Sequence, residues 1–133
     1  MMAIVKNKAT ARSYYEQVLN HGNMSAADAI FAPDIQFHYP AGDLSGADMV
    51  KDYLAAVRTA FPDIHFTVAD LVAEGNRVAA RWTLTGTQTG ELRGRAPTGQ
   101  KVSVPGITVF HVVNAKIHEM WIAFDPARLM RVL

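Results

Sequence analysis

Asp125 is followed by Pro126 and then by Ala127, Arg128, Leu129 and Met130, a placement open to two roles. An aspartate just before a proline-led helix is an N-cap, whose carboxylate accepts a hydrogen bond from a backbone N–H of the first turn. The same carboxylate beside a dry pocket could take a proton from a carbon next to a carbonyl group, which is general-base chemistry. His111 stands among Ile107, Val109 and Val113, an inward-facing reading if its strand alternates regularly. Held there, it is either a satisfied core residue or a group that donates to an oxyanion and exchanges protons near neutral pH. Tyr14, Tyr15 and Tyr53 fall on helix faces turned inward, where each hydroxyl either closes a bond in the core or reaches a bound molecule. Trp121 reads as a pocket wall, with Val109 and Phe37 as further apolar contacts. His38, between Phe37 and Tyr39, reads as solvent-facing, and Arg81 beside Trp82 as a paired or snorkelling side chain.

Other chemistries lack their residues. The chain has no cysteine, so disulfides, thiolate metal sites and cysteine nucleophiles drop out. No pair among His21, His38, His65, His111 and His118 has the helical spacing or flanking acids of a metal site, so no metal is expected. No serine sits in a nucleophile elbow, and Gly90, Gly94 and Gly99 do not form a phosphate loop opening a helix. With 13 basic and 12 acidic side chains spread along the chain and a formal charge of +1, there is no electrostatic footprint for nucleic acid or an anionic membrane. The first six residues make too short an apolar stretch for a signal peptide, which points to a cytoplasmic protein.

The elements that would position these residues can be read from periodicity. A length of 133 residues, half of them apolar or aromatic, suits one domain over 1–133. Ala11, Tyr14, Tyr15, Val18 and Leu19 recur at helical spacing over 8–19, with Gly22 as the stop. Ser25 and Asp28 suggest a cap for a short second helix ending at Pro33. Ile35, Phe37 and Tyr39 alternate as a strand, closed by a loop at 40–43. Ser45 and Asp48 suggest a second cap, opening a helix to about residue 61. Strands follow at 64–74, 77–87, 101–113 and 116–124, with tight turns at Gly75-Asn76 and Asn114-Ala115. The polar, glycine-rich stretch 88–100 reads as a loop or strand extension. Helices first and a β-meander afterwards is an α+β pattern, with a short helix expected at the C-terminus.

Several strands are apolar on both faces, most clearly the last. Three helices cannot cover two faces of a flat sheet. The sheet should therefore curl, aided by Pro105-Gly106, into a cone whose concave side holds a hydrophobic small molecule and whose convex side meets another copy, giving a homodimer or homotetramer.

Four stretches in this order resemble one family. Leu44-Ser45-Gly46-Ala47 with Tyr53-Leu54, then 60–64 (Ala-Phe-Pro-Asp-Ile), then Ala96-Pro97-Thr98-Gly99, then 116–121 (Lys-Ile-His-Glu-Met-Trp) with Asp125, together look like a SnoaL-like polyketide cyclase of the NTF2-like superfamily, which includes ketosteroid isomerase. The resemblance implies helices on a strongly curved antiparallel sheet around a pocket. It also implies ring closure by intramolecular aldol condensation without a cofactor, with Asp125 as base and His111 as the pocket histidine. Ala115 stands where the family usually has glycine, and the tail 130–133 lacks a common glutamine. The scaffold also carries isomerases, epoxide hydrolases, for which Asp70 and Glu119 are the further carboxylates on offer, and domains that bind without turnover.

Overall fold

The first helical run changes its hydrogen-bond pattern midway. In the computed structural model, which describes residues 2–91, 94, 96–125 and 127, α1 spans Met2–Ser13 and passes directly into a π-helical stretch, Tyr14–Asn20. The sequence period suggested an ordinary α-helix here. In the π-helical turn the adjacent Tyr14 and Tyr15 are both buried, together with Val18 and Leu19. Such stretches are rare, so this one needs external support. Asn20 supplies part of it, accepting from the Phe66 N–H at 2.7 Å and donating to the Phe66 carbonyl at 3.0 Å. The Arg58 guanidinium donates to the carbonyls of Leu19 and Asn20, satisfying acceptors that a helix end leaves open.

Helix α2 (Met24–Ile30) is capped by Asn23, which accepts from the Ala26 N–H at 3.1 Å, and not by Ser25. It runs straight into β1 (Phe31–Tyr39). The second half of the expected loop at 40–43 opens β2 (Gly42–Ser45), paired antiparallel with β1. Ser45 is therefore a strand residue, its hydroxyl donating to Gln36 Oε1 at 2.8 Å, and α3 (Ala47–Ala60) starts from Gly46 without a side-chain cap. Strands β3 (His65–Glu74), β4 (Arg77–Thr87), β5 (Lys101–Val113) and β6 (Lys116–Phe124) form the meander.

The six strands lie in the order β2-β1-β6-β5-β4-β3, and the curved sheet with its three helices is an α+β arrangement. It is mixed rather than purely antiparallel, because β1 pairs with β6 in parallel. A long crossover through α3 and the meander separates these strands, so no tight hairpin imposes an antiparallel match. Val78, Ala80 and Trp82 of β4, with Phe110 and Val112 of β5, face the helices and share a core with Tyr14, Tyr15 and Val18. Pairing stays regular through Pro105-Gly106, and the irregularities fall between Val68 and Asp70 and between His111 and Val112. The second shifts the phase of β6, so that Ile117 and Met120 are both fully buried. Of the expected C-terminal helix, only Ala127 lies within the described residues.

Candidate functional site

A cavity of about 80 Å³ lies between the concave face of the sheet and the helices. The π-helical stretch contributes Tyr14, Tyr15 and Leu19, and α3 contributes Tyr53, Leu54 and Val57. The sheet contributes Phe37 and Tyr39 from β1, Phe66 from β3, Trp82 and Leu84 from β4, Thr108 from β5, and Ile122 and Phe124 from β6. The rings pack against one another: Trp82 lies 5.1 Å from Phe66 and Tyr39 5.1 Å from Tyr53, both edge-on. An apolar cavity of roughly 150 Å³ holds a benzene-sized molecule. A fused-ring ligand must therefore push walls aside, and Tyr39, Tyr53 and Phe124 are among the lining residues that are only half-buried.

Among the described residues that line the cavity none is acidic, basic or a histidine, and its polarity comes from hydroxyls and one indole. The Trp82 Nε1–H donates to Thr108 Oγ1 at 2.9 Å. Gly106 makes room for that indole, since a Cβ there would stand 2.3 Å from the Trp82 ring. The Tyr15 hydroxyl is buried with no hydrogen-bond partner among the described residues. Burial pushes the Tyr15 phenol well above its ordinary range, partly offset by the nearby Thr108 hydroxyl, and burial next to Tyr15 and Tyr39 does the same to Tyr14. These phenols stay protonated around neutral pH.

Of the residues picked out from sequence, Tyr14, Tyr15, Tyr53 and Phe37 line this cavity. Val109, His111 and Trp121 do not: they lie on the opposite, convex face. The inward set of β5 is Val102, Val104, Thr108, Phe110 and Val112, so the alternation is the reverse of the one expected. Val109 pairs with Trp121, whose indole stacks on His38 at 5.8 Å and carries the Arg77 guanidinium 5.0 Å above its ring. The His111 ring lies 6.0 Å from that of His118. His38 joins three strands there, with Nε2 2.6 Å from Glu119 Oε2 and Nδ1 3.2 Å from Asp43 Oδ2. The hydrogen bond to Glu119 chiefly, and then Asp43, raise the His38 pKa above its ordinary value. Arg81 pairs with Asp70 at 2.6 Å on the surface.

Asp125 is exposed, directly after the cavity-lining Phe124, and its Oδ1 accepts from the Ala127 N–H at 2.9 Å in the manner of an N-cap. Sequence reasoning passed over Tyr39, Trp82, Thr108 and Phe124. Two signals pointed to them: a lone threonine inside the apolar run of β5, and a glycine two residues before it where a large ring needs space. Among the described residues no group of three or more histidine and carboxylate side chains is arranged to hold a metal ion, and no helix is long and apolar enough to cross a membrane.

The model of the SnoaL-like polyketide cyclase family matches residues 9–133. The chain belongs to this family. Among solved structures, the fold is similar to that of a candidate SnoaL-like cyclase from Jannaschia sp. CCS1, at 24% identity and TM-score 0.91 over 99% of this chain and 94% of that one. AclR of Streptomyces galilaeus, a candidate hydroxylase, is 32% identical with TM-score 0.82 over 96% of this chain and 80% of its own. IdmH of Streptomyces antibioticus, a candidate polyketide cyclase, is 27% identical with TM-score 0.81 over 94% and 96%. A search of curated proteins gives no match. Membership of the SnoaL-like family accounts for the cone of helices on a curved sheet and for a pocket on its concave side.

Proposed function

We propose that the chain is a cyclase that binds a hydrophobic, carbonyl-bearing small molecule in the concave cavity and closes a ring in it by aldol chemistry. Asp125 removes a proton from a carbon next to one carbonyl, and the resulting enolate carbon bonds to a second carbonyl carbon of the same molecule. The alkoxide so formed then takes up a proton. The observation that carries this reading is an aromatic-walled cavity whose β6 wall, Phe124, leads directly into the carboxylate of Asp125. Tyr14, Tyr53 and Phe37 hold the ligand, and no cofactor enters the steps. The test is Asp125→Asn against Asp125→Ala. Asparagine still accepts from the Ala127 N–H but cannot take a proton at neutral pH, so the Asn variant should stay folded and lose turnover by about a hundredfold to ten-thousandfold. Parental turnover in the Asn variant would reduce Asp125 to a helix cap.

The 32% identity to AclR favours a second reading, hydroxylation of a similar ligand in the same cavity. It differs in consuming an oxidant such as dioxygen, so an oxygen electrode during turnover separates the two. We also propose that the convex face, where Val72 is 65% and Ile107 49% exposed, is covered by a second copy of the chain in a homodimer or homotetramer.

A further inference from the structure

Two positions of β5 are shaped to seat one ring of the cavity. Trp82 of β4 pairs with Gly106 of β5, and a Cβ at that glycine would stand 2.3 Å from the Trp82 ring. The backbone itself does not need a glycine there: its pairs with β4 and β6 are regular, and its φ lies outside the left-handed region. What Gly106 supplies is the absence of a side chain, at the usual stability cost of a glycine inside a strand. The Trp82 indole lies across the space so left, and its N–H donates to Thr108 Oγ1 at 2.9 Å. Phe66 stands edge-on to it at 5.1 Å and Phe124 at 6.2 Å, and Trp82 is only 3% exposed. A residue that merely fills a core needs neither provision, since a leucine packs beside an ordinary neighbour and brings no N–H to satisfy. The indole is thus held on its face, at its N–H and along its edges. With it in place the cavity keeps about 80 Å³, roughly half the volume that holds benzene. A ligand gains room more readily by turning a half-buried ring such as Phe124 than by moving Trp82.

We propose that Trp82, seated over Gly106 and tethered by Thr108, determines how many fused rings the cavity accepts: one ring of an aryl ketone enters to full depth, and a second fused ring meets the indole. This rests on the concave cavity being the ligand site. The probes are acetophenone, with one ring, and α-tetralone, which closes a second ring with two more carbons. Both are titrated calorimetrically into the parent, Trp82→Phe and Gly106→Ala, with circular dichroism to check each fold. Buried apolar surface alone would make α-tetralone the tighter ligand by about tenfold. The parent should instead bind acetophenone at least as tightly. Trp82→Phe removes one ring of the wall and should tighten α-tetralone by about tenfold, with acetophenone within about threefold of its parental affinity. Gly106→Ala drives the indole into the cavity and should weaken both probes by about tenfold. A parental preference for α-tetralone, an equal change for both probes in Trp82→Phe, or parental binding of both in Gly106→Ala would overturn the proposal while leaving the cavity as the ligand site. Binding of neither probe by the parent would overturn the cavity reading and this proposal with it. Where either variant fails to fold, the parental preference and the remaining variant decide.

Discussion

Two adjacent rows of side chains cross the same sheet and meet different fates. On the concave side Val78 pairs with Phe110, Phe110 with Met120, and Met120 with Phe37, and all four are buried. One residue over, on the convex side, Val72 pairs with Ala79, Ala79 with Val109, Val109 with Trp121, and Trp121 with His38. That row is almost as apolar, yet Val72 stays 65% exposed. The polar groups differ more than the apolar ones. On the convex side, charges answer one another across strands, His38 with Glu119 and Asp43, and Arg81 with Asp70. On the concave side the polar contacts among the described residues are between neutral groups, the Trp82 N–H donating to Thr108 Oγ1 and the Tyr15 hydroxyl lying near the same threonine. Hydrophobicity alone therefore does not tell the two faces of this sheet apart; the kind of polarity, charged on one side and neutral on the other, does.

The comparison breaks most readily at its neighbouring residues. Phe110→Ala should cost about 3–5 kcal/mol in denaturant unfolding, whereas Val109→Ala, one position along β5, should cost less than about 1 kcal/mol. Equal losses would mean the two faces are not energetically distinct. Gly106→Ala places a Cβ against the Trp82 ring and should cost about 1–3 kcal/mol while shifting Trp82 fluorescence. On the other face, Ile107→Glu should lower the oligomer mass in sedimentation without changing tetralone binding; loss of both would tie the faces together.

Smaller effects sharpen the same picture. Ala115 sits at φ 61, in the left-handed region, so Ala115→Gly should stabilise the β5–β6 turn by about 1 kcal/mol in thermal unfolding. The His38 contribution is smaller still. Its pKa is raised in the folded state, so the stabilisation is fully present below its unfolded value of about 6.5 and is lost as pH rises through the folded value. Glu119→Gln should flatten that fall in unfolding temperature as pH rises above about 6.5. An unchanged slope would show that the pair contributes nothing.

The meander was legible in sequence because each strand ends at a turn: Gly75-Asn76 and Asn114-Ala115 separate the pairs β3–β4 and β5–β6. The helices were legible from spacing, but not their ends. Ser25 and Ser45 have the residue type of a cap, yet Asn23 takes the first role, and pairing with β1 draws Ser45 into β2. The π-helical turn left no periodic trace, since it depends on Asn20 and Arg58 reaching partners distant in sequence. For the site, Tyr14, Tyr53 and Phe37 came from helical and strand patterns that point to one core. His111, Val109 and Trp121 did not follow, because β5 is β-branched or aromatic on both sides and a two-residue period has no sign. The irregularity beside His111 then offsets β6 against it, so Trp121 could not be placed by counting from Ile117.

The chain carries two tryptophans, one on each face of the sheet, Trp82 in the cavity and Trp121 outside it. Fluorotryptophan labelling gives one fluorine resonance for each, assigned by comparison with Trp121→Phe. If the concave cavity is the ligand site, titration with α-tetralone should move the Trp82 resonance and leave that of Trp121 in place. Movement of the Trp121 resonance with Trp82 unchanged would put the ligand on the convex face and contradict the account.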